Sequence, residues 1–307
     1  MSPTSTAAVR APLIERWSAL TRLPRKAEVY ARDPLARTAL SLVPDGHLFD
    51  LALVVVKPEA LLTGRMTRVR RFLDRRELTV VAHFDTELDA ARSHQLWQYP
   101  WVKATTDRMR LHILLSQGLP SRCLLVRRVP GSGEIPLTTR LAVDKGSSDA
   151  AQRRPGQLRT ELGMTNRMIS FVHTSDEPAD LLRDVYVLGG EEALTLLGST
   201  TAQPDSVFED LAGSEDLEAD TLLAGLPSAG RERLRALFEA RRRHGHTLDL
   251  DAALRAVTEA GATEDRHRHV LAAGLIPHDL PDVVAEFDAA TVAELAARWA
   301  ADHHQGE

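Results

Sequence analysis

Two side chains in this sequence stand where chemistry would want them, each at the end of an apolar run. In "MISFVHTSDEPADLLRDV" the apolar residues Met168, Ile169, Phe171 and Val172 stop at His173, and Thr174, Ser175 and Asp176 lead into an amphipathic stretch. A neutral imidazole nitrogen is nucleophilic near pH 7, and a covalent intermediate divides one hard transfer into two easier ones. The same position also suits an ordinary histidine satisfied at a strand end, and His173 alone does not separate the two readings. In "LALVVVKPEA" the apolar run ends at Lys57 and is stopped by Pro58. A buried ammonium is costly unless it meets an anion, so a lysine at this point wants one.

The elements that would carry these groups lie between residues 50 and 190. "LALVVVKP" has the length and continuous apolarity of a buried strand, "LTVVAHF" and "SRCLLVRRV" read as a second and third, and "MISFVH" as a fourth. "MTRVRRFLDRRE", "LDAARSHQLWQYPW", "DRMRLHILLSQG", "EIPLTTRLAV" (Pro136 in its first turn) and "SDEPADLLRDVYVL" read as helices. A loop rich in Gly, Ser, Arg and Pro, "DKGSSDAAQRRPGQLRTELG", precedes the fourth strand. The order βαβ, helices, βαβ predicts an α+β fold: a ferredoxin-like four-stranded antiparallel sheet with helices on one face. Residues 1–49 read as an accessory helical extension. In it Leu13, Trp17 and Leu20 share a face, and Pro24, Pro34 and Pro44 break the chain. Residues 191–307 read as a helical C-terminal domain without a motif or repeat; Leu234, Leu237 and Phe238 share one face, and a capping box runs from Thr291 to Glu294.

Within residues 50–190 the set "VVVKPEAL", "RPGQLRTELG" and "SFVHTSDEPADLLRDV", in that order, resembles the nucleoside diphosphate kinase family. That family carries K-P-D on its first strand, P-G-x-x-R in a nucleotide loop and N-x-x-H-x-S-D at a catalytic histidine. The resemblance implies a ping-pong transfer of the γ-phosphate of ATP to a nucleoside diphosphate through phosphorylated His173, with Mg²⁺ on the nucleotide. It implies that Lys57 and Arg159 bind phosphate, that Arg140 supplies the second arginine, and that Ser148 or Ser147 stands in for a phosphate-bonding threonine. Tyr99 matches a tyrosine near the phosphate, Ser175 the serine two after the histidine, and Asp184 the carboxylate that orients the imidazole. Arginine forks and positioned cations are the main resource of phosphoryl transfer, which suits this set. The chain departs from the pattern in five places, the mildest being Glu59 for the aspartate of K-P-D. Asp184 replaces a glutamate, so its shorter side chain would need a water or a backbone shift to reach the ring. Ser170 replaces the asparagine three before the histidine, with Asn166 nearby; "KATTD" replaces an aromatic pair that stacks the base; and Arg153–Arg154 is an added pair. The phosphate end of the site is therefore better kept than the base end.

Composition excludes little else. A 43% hydrophobic and 26% charged chain with a formal net charge of −5 is ordinary for a globular protein and gives no reason to expect nucleic acid as a partner. The single cysteine, Cys123, sits in a strand-like run and gives no sign of an oxidising compartment. The start lacks the apolar core of a signal peptide and no run reaches the ~18 apolar residues of a membrane span, so a cytoplasmic protein is expected. The histidine pairs of "HGH", "RHRH" and "HH" lack metal-site spacing, and "GSGE" lacks the lysine of a phosphate loop. Nucleotides are the expected partners. Homo-oligomers follow from the family habit, and the C-terminal helices offer a surface for a protein partner. Two other functions stay open: a catalytically weak nucleotide-binding or interaction module, and the same chemistry with a non-standard metabolite as acceptor.

Overall fold

In the computed structural model, described for residues 4–43, 48–164, 166–211, 215, 217–283 and 291–305, the N-terminal extension is helical: α1 (Thr4–Leu20), α2 (Pro24–Tyr30) and α3 (Pro34–Leu42). Pro24 and Pro34 each open a helix, where a missing N–H costs nothing. Pro44 lies outside the described residues. Then come β1 (Leu51–Val56), α4 (Pro58–Leu62), α5 (Met66–Asp74), β2 (Thr79–Glu87), α6 (Ala90–Trp97), a 3₁₀ turn at Pro100–Lys103, and α7 (Thr106–Ser116). β3 (Pro120–Arg127), α8 (Leu137–Lys145), α9 (Leu158–Glu161), β4 (Val172–Thr174) and α10 (Pro178–Thr195) complete the middle of the chain. Beyond it are α11 (Ala219–Ala224), α12 (Ser228–His244), α13 (Leu250–Glu259), α14 (Asp265–Ala273) and α15 (Val292–Gln305). None of the described helices is long and apolar enough to cross a membrane.

The four strands form one antiparallel sheet in the order β2-β3-β1-β4, the ferredoxin-like arrangement within an α+β fold. All six residues of β1 are buried. Ala52, Val54 and Val56 face one apolar cluster, while Leu51, Leu53 and Val55 face another. Helices on one face were expected, but both faces are covered. α4, α5, α7, α8 and the C-terminal helices α12–α14 share the first cluster, and α1–α3, α6 and α10 share the second. A strand covered on both sides needs apolar residues at every position, which is why β1 lacks the two-residue alternation of a half-exposed strand.

The fourth strand is shorter than the apolar run that announced it. Only Val172–Thr174 pair with β1; Phe171 adopts φ 58°, and that left-handed step turns Met168–Phe171 out of the ladder. Met168, Ile169 and Phe171 are buried all the same, so the apolar pattern reports burial rather than strand. The bend matters because it leaves His173 two residues beyond the left-handed step, paired with Val55 on the edge strand of the sheet.

Candidate functional site

The imidazole of His173 is held by both of its nitrogens. Nε2 lies 3.1 Å from Asp184 Oδ2, and the same oxygen accepts the hydroxyl of Ser175 at 2.8 Å. Only three residues separate β4 from α10, so the second turn of α10 passes over the ring and Asp184 reaches it directly. No water or backbone shift is needed for the shorter side chain. An ionised carboxylate only accepts hydrogen bonds, so Nε2 carries the proton and Nδ1 keeps its lone pair. Trp97 Nε1 points its N–H at that lone pair from 3.4 Å, with its ring edge-on to the imidazole at 5.7 Å. Nδ1 is thus the nitrogen with an available lone pair, met by one long hydrogen bond.

His173 borders a cavity of about 330 Å³ whose other charged walls are mostly cationic. Lys57 is buried at the start of α4 and finds its anion one residue past Pro58, in Glu59 Oε1 at 2.6 Å. Lys145, in the last turn of α8, donates to Thr174 O and Asp176 Oδ1, each at 3.3 Å; burial pulls its pKa down, against the attraction of Asp176. Burial would push the Asp176 carboxyl up, but Lys145, Lys26 and His173 outweigh it and hold it low. Arg159 donates to Gly146 O at 2.9 Å and Val172 O at 3.3 Å, while its Nε is buried with no partner. Burial is the main reason its pKa falls to about 10. A guanidinium fixed by two backbone carbonyls, with no carboxylate among its hydrogen bonds, is arranged to receive an external anion. Ser148 and Ser170 line the same cavity.

Two residues expected at the phosphate stand elsewhere. Arg140 lies on the outer face of α8, where it pairs with Asp144 at 3.1 Å over a separate groove. Leu141 and Lys145 face inward on that helix, so the inward cation is Lys145 and not the Arg140 that the resemblance implied. Tyr99 turns away from the cationic cavity; its hydroxyl donates to Asp33 Oδ2 at 2.8 Å. Asp33 caps α3 and also receives Arg183 Nε at 2.7 Å, so the N-terminal extension sets the direction of the tyrosine. Asn166 spends its Oδ1 on the backbone N–H of Met168 and borders another groove. Ser147 bonds locally to Gln152 and to the N–H of Asp149.

The aromatic wall absent from "KATTD" is supplied upstream. Trp97 and Trp101, 5.4 Å apart, line the cavity beside His112. His112 is buried, and burial together with Lys57 and Arg108 keeps its pKa well below the ordinary imidazole value, so it stays neutral. The stretch "QLWQYPW" held this signal, since two tryptophans within five residues at a helix end can share one side of a cavity.

On the Asp184 side of His173 lies a smaller cavity of about 160 Å³, bordered by Lys26 and Tyr30 of the extension and by Leu295 of α15. Lys26 Nζ donates to Glu177 at 2.8 Å and to Asp180 at 2.7 Å, and the Tyr30 hydroxyl donates to Asp180 at 2.6 Å. Glu177 also accepts from Trp299 Nε1 at 3.1 Å. The extension expected to be accessory therefore fastens the start of α10, the helix that carries Asp184. Among the described residues no three His, Cys, Asp or Glu side chains are grouped to hold a metal ion.

No family model matches the chain, and no curated protein matches it. Among solved structures, a nucleoside-diphosphate kinase from Borrelia burgdorferi, a transition-state mimic with bound vanadate and ADP, is similar with a TM-score of 0.38 and 16% identity. The alignment covers 54% of this chain and 98% of that one. A likeness at this level assigns no activity, and the functional reading rests on the site.

Proposed function

We propose that this protein is a phosphotransferase that moves the γ-phosphoryl group of ATP to a nucleoside diphosphate or a related acceptor through phosphorylated His173. The observation that carries the reading is the imidazole itself. Its Nε2 is committed to Asp184, and its Nδ1 lone pair stands at a cavity walled by Lys57, Lys145 and Arg159. In the first half-reaction Nδ1 attacks the γ-phosphorus, the bond to the bridging oxygen breaks, and ADP leaves with the electron pair. Asp184 compensates the positive charge that the ring gains. In the second half-reaction a terminal phosphate oxygen of the acceptor attacks the same phosphorus, and Nδ1 recovers its lone pair. Trp97 must give up its hydrogen bond to Nδ1 as the phosphoryl group arrives; at 3.4 Å that bond is at the long limit and costs little to lose.

Lys57, Lys145 and Arg159 would take the charge that spreads over the phosphoryl oxygens. Mg²⁺ would enter on the nucleotide. Among the described residues Asp176 is the one carboxylate lining the cationic cavity and it is turned to Lys145, so the phosphates rather than a protein cage would hold the ion.

The test is to incubate the protein with γ-labelled ATP and Mg²⁺ and ask for covalent label that is acid-labile and base-stable. Label on the wild type and none on His173→Ala is the expected result. A folded wild-type protein that binds ATP but takes no label would overturn the mechanism and leave a binding module.

A further inference from the structure

Two further cations, Arg108 on α7 and Arg167 in the loop before β4, line the cationic cavity outside the set used above. One carboxylate lies between them: Asp279 accepts from Arg108 with Oδ1 and from Arg167 with Oδ2. The backbone delivers Asp279 to this place. Ala104 and Asp279 form an antiparallel bridge, Thr105 N donates to His278 O at 3.2 Å, and Leu280 N donates to Lys103 O at 2.6 Å. The Thr105 hydroxyl adds a bond to Pro277 O at 2.7 Å. A segment that follows α14 is thus pinned at the rim of the cavity, with its acidic side chain on the outer guanidinium pair.

We propose that Arg108 and Arg167 form a second anion subsite, and that Asp279 fills it as an internal counter-ion until a phosphate group of the ligand displaces it. The inference rests on reading the cavity as a polyphosphate site. It adds that the ligand carries a second phosphate beyond the one at His173, held by this outer pair. Two guanidiniums brought together need an anion: burial, and then the charge of Arg167, draws the Arg108 pKa down, while Asp279 opposes both. A phosphate offers more charge and more acceptor oxygens to the two forks than a carboxylate does, so it competes for them. The side chains of Arg167 and Asp279 are 39% and 33% exposed, so exchange at the rim requires no opening of the core. The C-terminal region then does more than cover the sheet. It sets a threshold that a ligand with a single phosphate group does not pass.

The experiment is calorimetric titration of the full chain with inorganic tripolyphosphate, comparing wild type, Asp279→Asn and Arg167→Gln. Removing the internal competitor should tighten binding roughly tenfold, and removing half the subsite should weaken it by a similar factor. Were Asp279 only a fastener for the C-terminal segment, Asp279→Asn would bind no more tightly than wild type, and that result overturns the proposal. Arg167→Gln keeps the Arg108–Asp279 pair and gives an independent arm should the first variant fail to fold; unchanged affinity in it also overturns the proposal. Phosphohistidine labelling of the wild type separates the two readings. Label with no gain in Asp279→Asn sinks the subsite alone, whereas a gain with no label sinks the transfer mechanism alone.

Discussion

His173, Asp184 and Ser175 form a chain in which each group fixes the next. The Ser175 hydroxyl and the Nε2–H of His173 both donate to one oxygen of Asp184, which settles the ring's orientation and its tautomer together. Asp184→Asn keeps the shape but offers an amide that can also donate. Under the proposed mechanism we expect kcat to fall by up to about 10⁴-fold, as when the carboxylate that fixes a catalytic histidine's tautomer becomes an amide. KM should be nearly unchanged, because Asp184 does not line the cationic cavity; steady-state kinetics would check the split. Ser175→Ala removes one donor from an oxygen that keeps another, so a stability loss of about 1 kcal/mol is expected from chemical denaturation.

At the level of elements, α3 decides more than its place at the margin suggests. Asp33 caps it through the N–H groups of Leu35 and Ala36, and the same carboxylate takes Arg183 from α10 and the hydroxyl of Tyr99. Burial pushes the Asp33 carboxyl up; the charge of Arg183 and the hydrogen bonds of Arg183, Tyr99 and Leu35 outweigh it, and the net pKa is lowered. A carboxyl with a lowered folded pKa contributes stability above its unfolded value of about 4 and loses it as pH falls through that value toward the folded one. Asp33→Asn should therefore cost about 3–5 kcal/mol at pH 7, as when one partner of a buried pair is removed. The penalty should shrink below pH ~4, where the unfolded wild type takes up a proton that native Asp33 does not and the stability due to the charge falls. Denaturation curves of both proteins at pH 7 and near pH 3.5 would show it; a penalty that stays constant with pH would mean that the charge is not what Asp33 contributes.

For the whole molecule, one apolar cluster joins the sheet to the C-terminal helices. Val54, Val56 and Leu124 of the sheet belong to the same buried set as Leu234, Leu250, Val270 and Ile276. The C-terminal region should therefore melt with the site and not before it. Gly230 offers a probe far from His173: a Cβ there would stand 1.9 Å from Ala260 O, so Gly230→Ala must push α12 off the end of α13. Overpacking of this kind costs about 1–3 kcal/mol. In one cooperative unit, tryptophan fluorescence, which includes Trp97 and Trp101 at the site, and far-ultraviolet dichroism should shift together to the same lower Tm. A shift in dichroism alone would mark the C-terminal helices as a separate unit.

The sequence by itself determined most of the longer elements, because apolar period and breaker residues act locally; the short α4 and α9 and the true length of β4 it did not. The run ending at Lys57 is a strand stopped at Pro58, as read, although the short helix that Pro58 opens was not foreseen, and the segment after His173 is a helix with Asp184 facing back. It also marked His173, Lys57, Arg159, Ser148 and Ser170, which the fold gathers around one cavity. It could not foresee what depends on the far partner of a side chain. Arg140 and Lys145 sit five residues apart on one helix, and only the packing of α8 against the sheet decides which cation faces inward. Tyr99 was drawn to Asp33 from 66 residues away, and Asp279 reached Arg108 from 171 residues away. Propensity and pattern extend over a turn or a strand. The charges that finish a site are fixed by contacts between distant segments, and those exist only once the chain has closed on itself.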